Sequence, residues 1–423
     1  MQTTEFPDIE IISLVKSCKV GEALQQIIPH LDESEEARAL YCQVLRSRNN
    51  IYLTGIQPDN IKEAAEKGDL WMQYLWARYN DCIVPESNSA DIAGEYYRKA
   101  AEGGIADARM CMAYMWRDGD FGIVDRSRYE RERDMAAAGN SHMATQQIIR
   151  DITFGNGGFE ADPGKALSML GKFIGDSAGC YIDPKYYTLM GDVTRAAGGQ
   201  DAAQWYEKGF DEGDLGACLL YAIEACFDED FNITDREKFE AIMTRGQDLM
   251  CAEAFEAVQL VVEQGVYEDY DDDLRKDVTE SLKYDLEIGY KLGDTTAAYC
   301  LGRNYYYGEF GFEQDFSQAS LWLSRGAIRR DASCYELLAT MIEDGNYPGG
   351  QDPDRQHEYE IRALRLGCDD MLDRVVNAYR HGFLTAYAAE IEQYYLPLVP
   401  AEDDEFPSGD DCPDDDGRFD AWV

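Results

Sequence analysis

A spacing of 36 to 37 residues constrains this chain more than any other feature. Small or apolar residues recur around the start of one helix per unit, as Ala108, Ala144, Ala217, Ala254, Ala297, Cys334 and Met371. The step is 36 residues from Ala108 to Ala144, and 37 from Ala217 to Ala254, from Ala297 to Cys334 and from Cys334 to Met371. From Ala254 to Ala297 it is 43, which implies an insert of about six residues. One weaker copy fits between Ala144 and Ala217, with Met190-Gly191 as its central pair. A fixed period of this length marks a solenoid, whose units cannot bury an apolar face alone and must stack on their neighbours.

The unit reads most clearly between Gly293 and Gly326. Ala297, Leu301 and Tyr305 stand at i, i+4 and i+8, one stripe of an α-helix. Gly302 leaves room for a close neighbour, and Gly308 and Gly311 supply the positive φ that ends a helix and turns the chain. Asp315 suits the N-cap of a second helix, whose apolar face begins with Ala319 and Trp322. The turn glycine recurs as Gly119, Gly155, Gly265, Gly308, Gly345 and Gly382, with Ala197 in its place in the weaker copy. Second helices are read as ending on Ala64-Ala65-Glu66-Lys67-Gly68, Ala100-Ala101-Glu102-Gly103-Gly104 and Trp205-Tyr206-Glu207-Lys208-Gly209.

These residues together, A-x-x-x-L-G-x-x-Y-x-x-G, an Asp, then W/Y-Y-x-K-A-A-x-x-G, resemble the Sel1-like repeat, an α/α solenoid unit slightly longer than the tetratricopeptide repeat. The resemblance runs roughly from residue 30 to 385, is clearest over 93–139 and 293–330, and is degenerate over 176–250, where Ala225 replaces a Tyr. It implies an all-α fold, a right-handed solenoid of about 9–10 helix pairs. It also implies an adaptor that holds partners on a concave surface and is not an enzyme. The expected organisation is a helical cap or degenerate repeat over 1–50, the solenoid over 51–385, a capping helix over 386–400 and an acidic tail over 401–423.

Composition supports this and narrows the function. A length of 423 residues would ordinarily hold two or three domains, but repeats stack into one body. No run approaches the 18 or so apolar residues of a membrane span, and Met1 to Asp8 lack a basic segment followed by an apolar one, so a cytoplasmic protein is expected. The twelve cysteines stand singly, without C-x-x-C, and read as reduced thiols. Cys111 and Cys300 share one repeat position and Cys334 replaces a helix-start alanine, as small core residues do. Only Cys218 and Cys226 are close enough to suggest the intra-repeat bridges of a secreted branch of the family. The 82 acidic against 39 basic residues give a net charge of −43, a field that attracts basic partners and repels nucleic acid and anionic membranes. The tail carries ten carboxylates against Arg418 alone, and such a block is expected to be disordered.

Motifs for chemistry are weak. Gly175-Asp176-Ser177-Ala178-Gly179 fits G-x-S-x-G, but that nucleophile elbow follows a strand, whereas Ala166 to Phe173 read as helix. Asp228, Asp230 and Asn232 begin like a calcium loop, yet Ile233 and Phe239 stand where Gly and Glu are required, and Thr234 with Glu237 suits a capping box. His30, His142, His357 and His381 are scattered. No catalytic residue, cofactor site or metal site is therefore expected. Trp205, Trp322, Tyr305 and Tyr379 fall at core positions, whereas Tyr306, Tyr307 and Phe310 flank the turn of the best unit and are expected to reach a surface. With Glu268, Asp269, Tyr270, Asp271, Asp272 and Asp273 of the insert they form the candidate partner-binding set, since aromatics beside carboxylates suit Lys and Arg. The expected partner is a basic protein, most specifically a toxin or effector masked by a bacterial immunity or inhibitor protein. A signalling or assembly adaptor and an acidic nucleic-acid mimic are the alternatives. Whether the concave face or the tail carries the binding stays open.

Overall fold

The computed structural model describes residues 9–399, apart from positions 18, 33, 48–56, 83–88, 156–157, 177–181, 229–231, 264–271, 293 and 295. Four helices open the array: α1 (Ile9–Lys16), α2 (Val20–Ile27), α3 (Glu35–Ser47) and α4 (Pro58–Glu66). Hairpins then follow one another: α5 and α6 (Leu70–Cys82, Ser89–Glu102), α7 and α8 (Ala106–Asp118, Arg126–Ala138), α9 and α10 (His142–Phe154, Pro163–Asp176), and α11 and α12 (Lys185–Ala196, Ala202–Asp211). After them come α13 and α14 (Ala217–Cys226, Arg236–Asp248), α15 and α16 (Ala252–Glu263, Asp272–Leu292), α17 and α18 (Thr296–Tyr307, Phe316–Ile328), and α19 and α20 (Ala332–Glu343, Pro353–Arg365). The helix α21 (Leu372–Arg380) precedes a last irregular segment. Among the described residues the only β-type pairing is an isolated bridge between Phe227 and Ile233.

Local chemistry explains each hairpin. In the best unit Leu301 is fully buried and Tyr305 nearly so, packed in one cluster with Ala319, Trp322 and Leu323 of α18. Gly308 at φ 70° closes α17, and Asp315 caps α18 by accepting from the amides of Ser317 and Gln318 at 2.9 and 3.0 Å. Asp125, Asp235 and Asp352 cap α8, α14 and α20 in the same way. The core is a succession of clusters along the chain, each spanning neighbouring hairpins, as expected when stability comes from nearest-neighbour stacking.

The hairpin-to-hairpin turn is equally regular. The amide of Ile105 reaches back to the carbonyl of Ala100 and that of Gly104 to Ala101, a Schellman closure. The long bond of that closure recurs from Asp69, Ser141, Asp214, Cys251, Asp294, Asp331 and Cys368, always to a residue five positions earlier. Among the described residues the closure puts Gly68, Gly104, Asn140, Gly213, Met250, Arg330 and Gly367 in the left-handed region.

Several sequence expectations need correction. The second helix of the weaker copy does not stop at Gly209, which lies inside α12 against Thr188; the left-handed stop is Gly213 at φ 104°. Opposite it, Ala197 keeps a negative φ and Gly198 turns the chain one residue later. The degenerate stretch resolves into hairpins α11–α12 and α13–α14. The N-cap of α14 is Asp235, while Thr234 donates to the carbonyl of Cys226. Part of the insert before Ala297 lengthens a helix, since α16 runs 21 residues against 13 for α18. The expected final helix is a short 3₁₀ turn, one α turn and a π turn over Ile391–Tyr395, followed by Leu396–Leu398. Pro397 lacks the N–H that a regular helix would need there. Cys111, Cys218, Cys226, Cys251, Cys300, Cys334 and Cys368 are thiols outside any disulfide, and Cys218 and Cys226 are both buried in one helix, α13. No described helix is long and apolar enough to cross a membrane.

Candidate interaction surface

The α17 C-terminus separates the three aromatic residues expected at a surface. Tyr306 is 4% exposed and Phe310 8%, so both belong to the core, whereas Tyr307 is 52% exposed. One turn of geometry accounts for this. Tyr306 lies on the α17 face that meets the next hairpin, where its hydroxyl donates to the Asp344 carboxylate and its ring packs on Phe316. Phe310 takes a left-handed conformation at φ 53°, an arrangement costly for a bulky residue, and its ring comes to rest beside the Arg303 guanidinium, 5.7 Å from ring centre to carbon. The exposed Tyr307 ring lies edge-on to Tyr306 at 4.8 Å.

The surroundings of Tyr307 are acidic. Burial first, then the negative charges of Glu309 and Asp344, raise its phenol above the usual range, while Arg303 opposes them and Glu336 adds to them. Glu309 and Asp344 are exposed, and Arg303 is tied to Glu256 at 3.2 Å. An exposed ring rimmed by carboxylates whose local cation is already paired suits an incoming ammonium or guanidinium, which can stack on the ring and be neutralised at its edge. Glu309, Glu336 and Asp344 were not singled out in the sequence, because Glu336 and Asp344 come from the next repeat. Of the insert residues, Glu268, Asp269, Tyr270 and Asp271 lie outside the described residues, as does the tail over 401–423. Asp272 and Asp273 form the first residues of α16, and only their backbone is described.

The motifs with chemical potential are absorbed by structure. Gly175 and Asp176 end α10, and Ser177, Ala178 and Gly179 lie outside the described residues. Asp228 accepts from the Asn232 amide at 2.8 Å, closing a small loop. His357 bonds Glu360 at 2.7 Å and His381 the carbonyl of Asn377 at 2.8 Å, as links within a helix or at its end. Among the described residues no His, Cys, Asp and Glu cluster is arranged to hold a metal ion. A groove of about 610 Å³ runs past Arg38, Trp71, Ile105, Asp107 and His142. Two of its polar groups are engaged within the protein: Arg38 donates to the carbonyl of Leu31 at 2.7 Å and Asp107 accepts from Ser141 at 2.5 Å.

The sequence matches no protein-family model, and no curated protein matches it. Among solved structures it is similar to a Sel1 repeat protein from Oxalobacter formigenes, with 17% identity over 75% of this chain and 88% of that one and a TM-score of 0.33. It is also similar to a protective antigen present in uropathogenic Escherichia coli strains that displays an SLR fold, with 20% identity over 85% of this chain and 75% of that one and a TM-score of 0.35.

Proposed function

We propose that this chain is a binding scaffold for a basic protein, and that in its most specific form it masks a basic toxin or effector. The observation that carries the reading is the exposed Tyr307 ring set among Glu309, Asp344 and Glu336 on a chain of net charge −43. Long-range charge speeds encounter but is screened beyond about 8–10 Å, and exposed ion pairs each add little. Lasting affinity comes from a desolvated anchor held in fixed geometry, which the ordered end of α17 provides.

The test is binding kinetics at two salt concentrations with a basic protein recovered by pull-down from the native host. Tyr307→Ala and Glu309→Lys are expected to speed dissociation at least tenfold. Deletion of residues 401–423 is expected to slow association, weaken its salt dependence and leave dissociation unchanged. If the deletion abolishes binding while both point variants bind as wild type, the tail is the binding element and this reading fails. Loss of the partner's own activity in the complex marks masking; retained activity marks an adaptor. Displacement of the chain by duplex DNA marks a nucleic-acid mimic.

A further inference from the structure

Arg330 occupies a position where other repeats carry glycine. Gly68, Gly104, Gly213 and Gly367 all sit left-handed in this turn at φ between 98° and 104°. Asn140 is a tolerated substitute, since its short polar side chain suits that region. Arg330, at φ 63°, holds the same conformation with a long side chain and a Cβ that opposes it. Met250, at φ 58°, holds the same turn position, so what sets Arg330 apart is where its side chain goes.

That side chain reaches across to the start of the array. One guanidinium nitrogen donates to Asp81 at 2.8 Å and to Asp120, and another to Asp118 at 2.5 Å. These partners lie 249, 210 and 212 residues away along the chain, so the contact is between successive turns of the superhelix, not between neighbouring repeats. Asp118 and Asp81 are nearly buried, and each has another tie, to Arg117 at 2.6 Å and to the Tyr97 hydroxyl at 2.8 Å, which hold the cage in place. Nearby contacts run along the same seam. Arg365, paired with Glu390 at 2.6 Å, lies against Gly119, and Arg126 stacks over the ring of Tyr394 at 4.2 Å. A second long-range contact lies earlier along the chain, where Lys16 pairs with Glu212 at 2.5 Å and its backbone lies against Gly213.

We infer that Arg330 is a latch that holds one turn of the superhelix against the next, and that its release lets the array lengthen and opens the space between turns. A spring of stacked repeats has low resistance along its axis, because each hairpin needs to tilt only slightly against its neighbour. A three-carboxylate seat for one guanidinium is therefore a switch on the pitch of the whole array, reached by salt at its edge, where Arg330 and Asp120 are each 24% exposed, and less at the nearly buried Asp81 and Asp118.

Small-angle X-ray scattering of the full chain tests this without any partner, so its outcome is independent of the binding reading above. Arg330→Gly removes the latch and places in the turn the residue that other repeats use there, which protects the fold. The variant is expected to show a larger radius of gyration than wild type at about 0.05 M salt, with unchanged circular dichroism. Met250→Gly, the same turn position without a cage, is expected to scatter as wild type. Wild type should lengthen between about 0.05 and 0.5 M salt, and Arg330→Gly should not. Scattering of Arg330→Gly that superimposes on wild type at low salt overturns the latch. Should the variant lose helix content, wild-type dimensions that do not change with salt overturn it equally.

Discussion

Single glycines on the helices of this protein act in opposite ways, and the space around each decides the sign. A Cβ on Gly302 would lie 2.5 and 2.6 Å from side-chain carbons of Leu323 and 3.3 Å from its backbone nitrogen. The nearest of these is Cγ, at the root of the side chain, so the two helices of the hairpin would have to separate. Alanine gains about 1 kcal/mol of helix propensity over glycine, whereas overpacking costs about 1–3 kcal/mol. Gly302→Ala is thus expected to lower stability by up to ~2 kcal/mol. Gly171, inside α10, has only the Met190 Cε at 4.0 Å, and Gly171→Ala should raise stability by ~0.5–1 kcal/mol. Urea midpoints of the two variants should move to opposite sides of wild type; movement in the same direction would refute the packing argument.

At the scale of elements, carboxylates crowd together at the junction of three consecutive hairpins. Asp294 caps two helices at once, accepting from the Ala252 amide of α15 at 2.8 Å and from the Thr296 amide of α17 at 3.1 Å. Glu253 in the first turn of α15 shares this environment, and burial, followed by the charges of Asp294 and Asp214, pushes its carboxyl up to about 8. Its ordinary value is near 4.5, so the folded protein holds this proton where the unfolded chain has lost it. The associated stability is complete below pH 4.5 and is lost as the pH rises through 8. Glu253→Gln should therefore flatten that part of the stability profile between pH 5 and 8. Curves for wild type and variant that stay parallel across this window would place the titration elsewhere.

For the whole molecule, salt acts on two opposed quantities. A net charge of −43 destabilises the folded array through self-repulsion, whereas the inter-turn ion pairs hold it wound. Raising salt from about 0.05 to 0.5 M shortens the screening length from roughly 14 to about 4 Å, which removes most repulsion between exposed carboxylates. Screened surface pairs are individually worth little, so relief of repulsion is expected to win. The melting temperature should rise with salt even while the array lengthens, and it should rise by more in Arg330→Gly, which has no latch for salt to weaken. A melting temperature that falls with salt would show that the ion pairs outweigh the repulsion.

How much of this was legible beforehand follows from the range of each interaction. The Ala297–Leu301–Tyr305 stripe, the Asp315 cap and the glycine turns are interactions within about a dozen residues, so the periodic pattern determined the hairpins by itself. The same pattern placed Tyr307 near a surface but misjudged Tyr306 and Phe310, because the burial of each is set by a turn conformation and by Asp344 in the next repeat. The Arg330 seat was not legible at all. Its partners are more than 200 residues away, and what brings them together is the accumulated tilt of one hairpin on the next. A repeat encodes its own fold and its contact with a neighbour; only the tertiary structure, by summing those small angles, decides which distant turns meet.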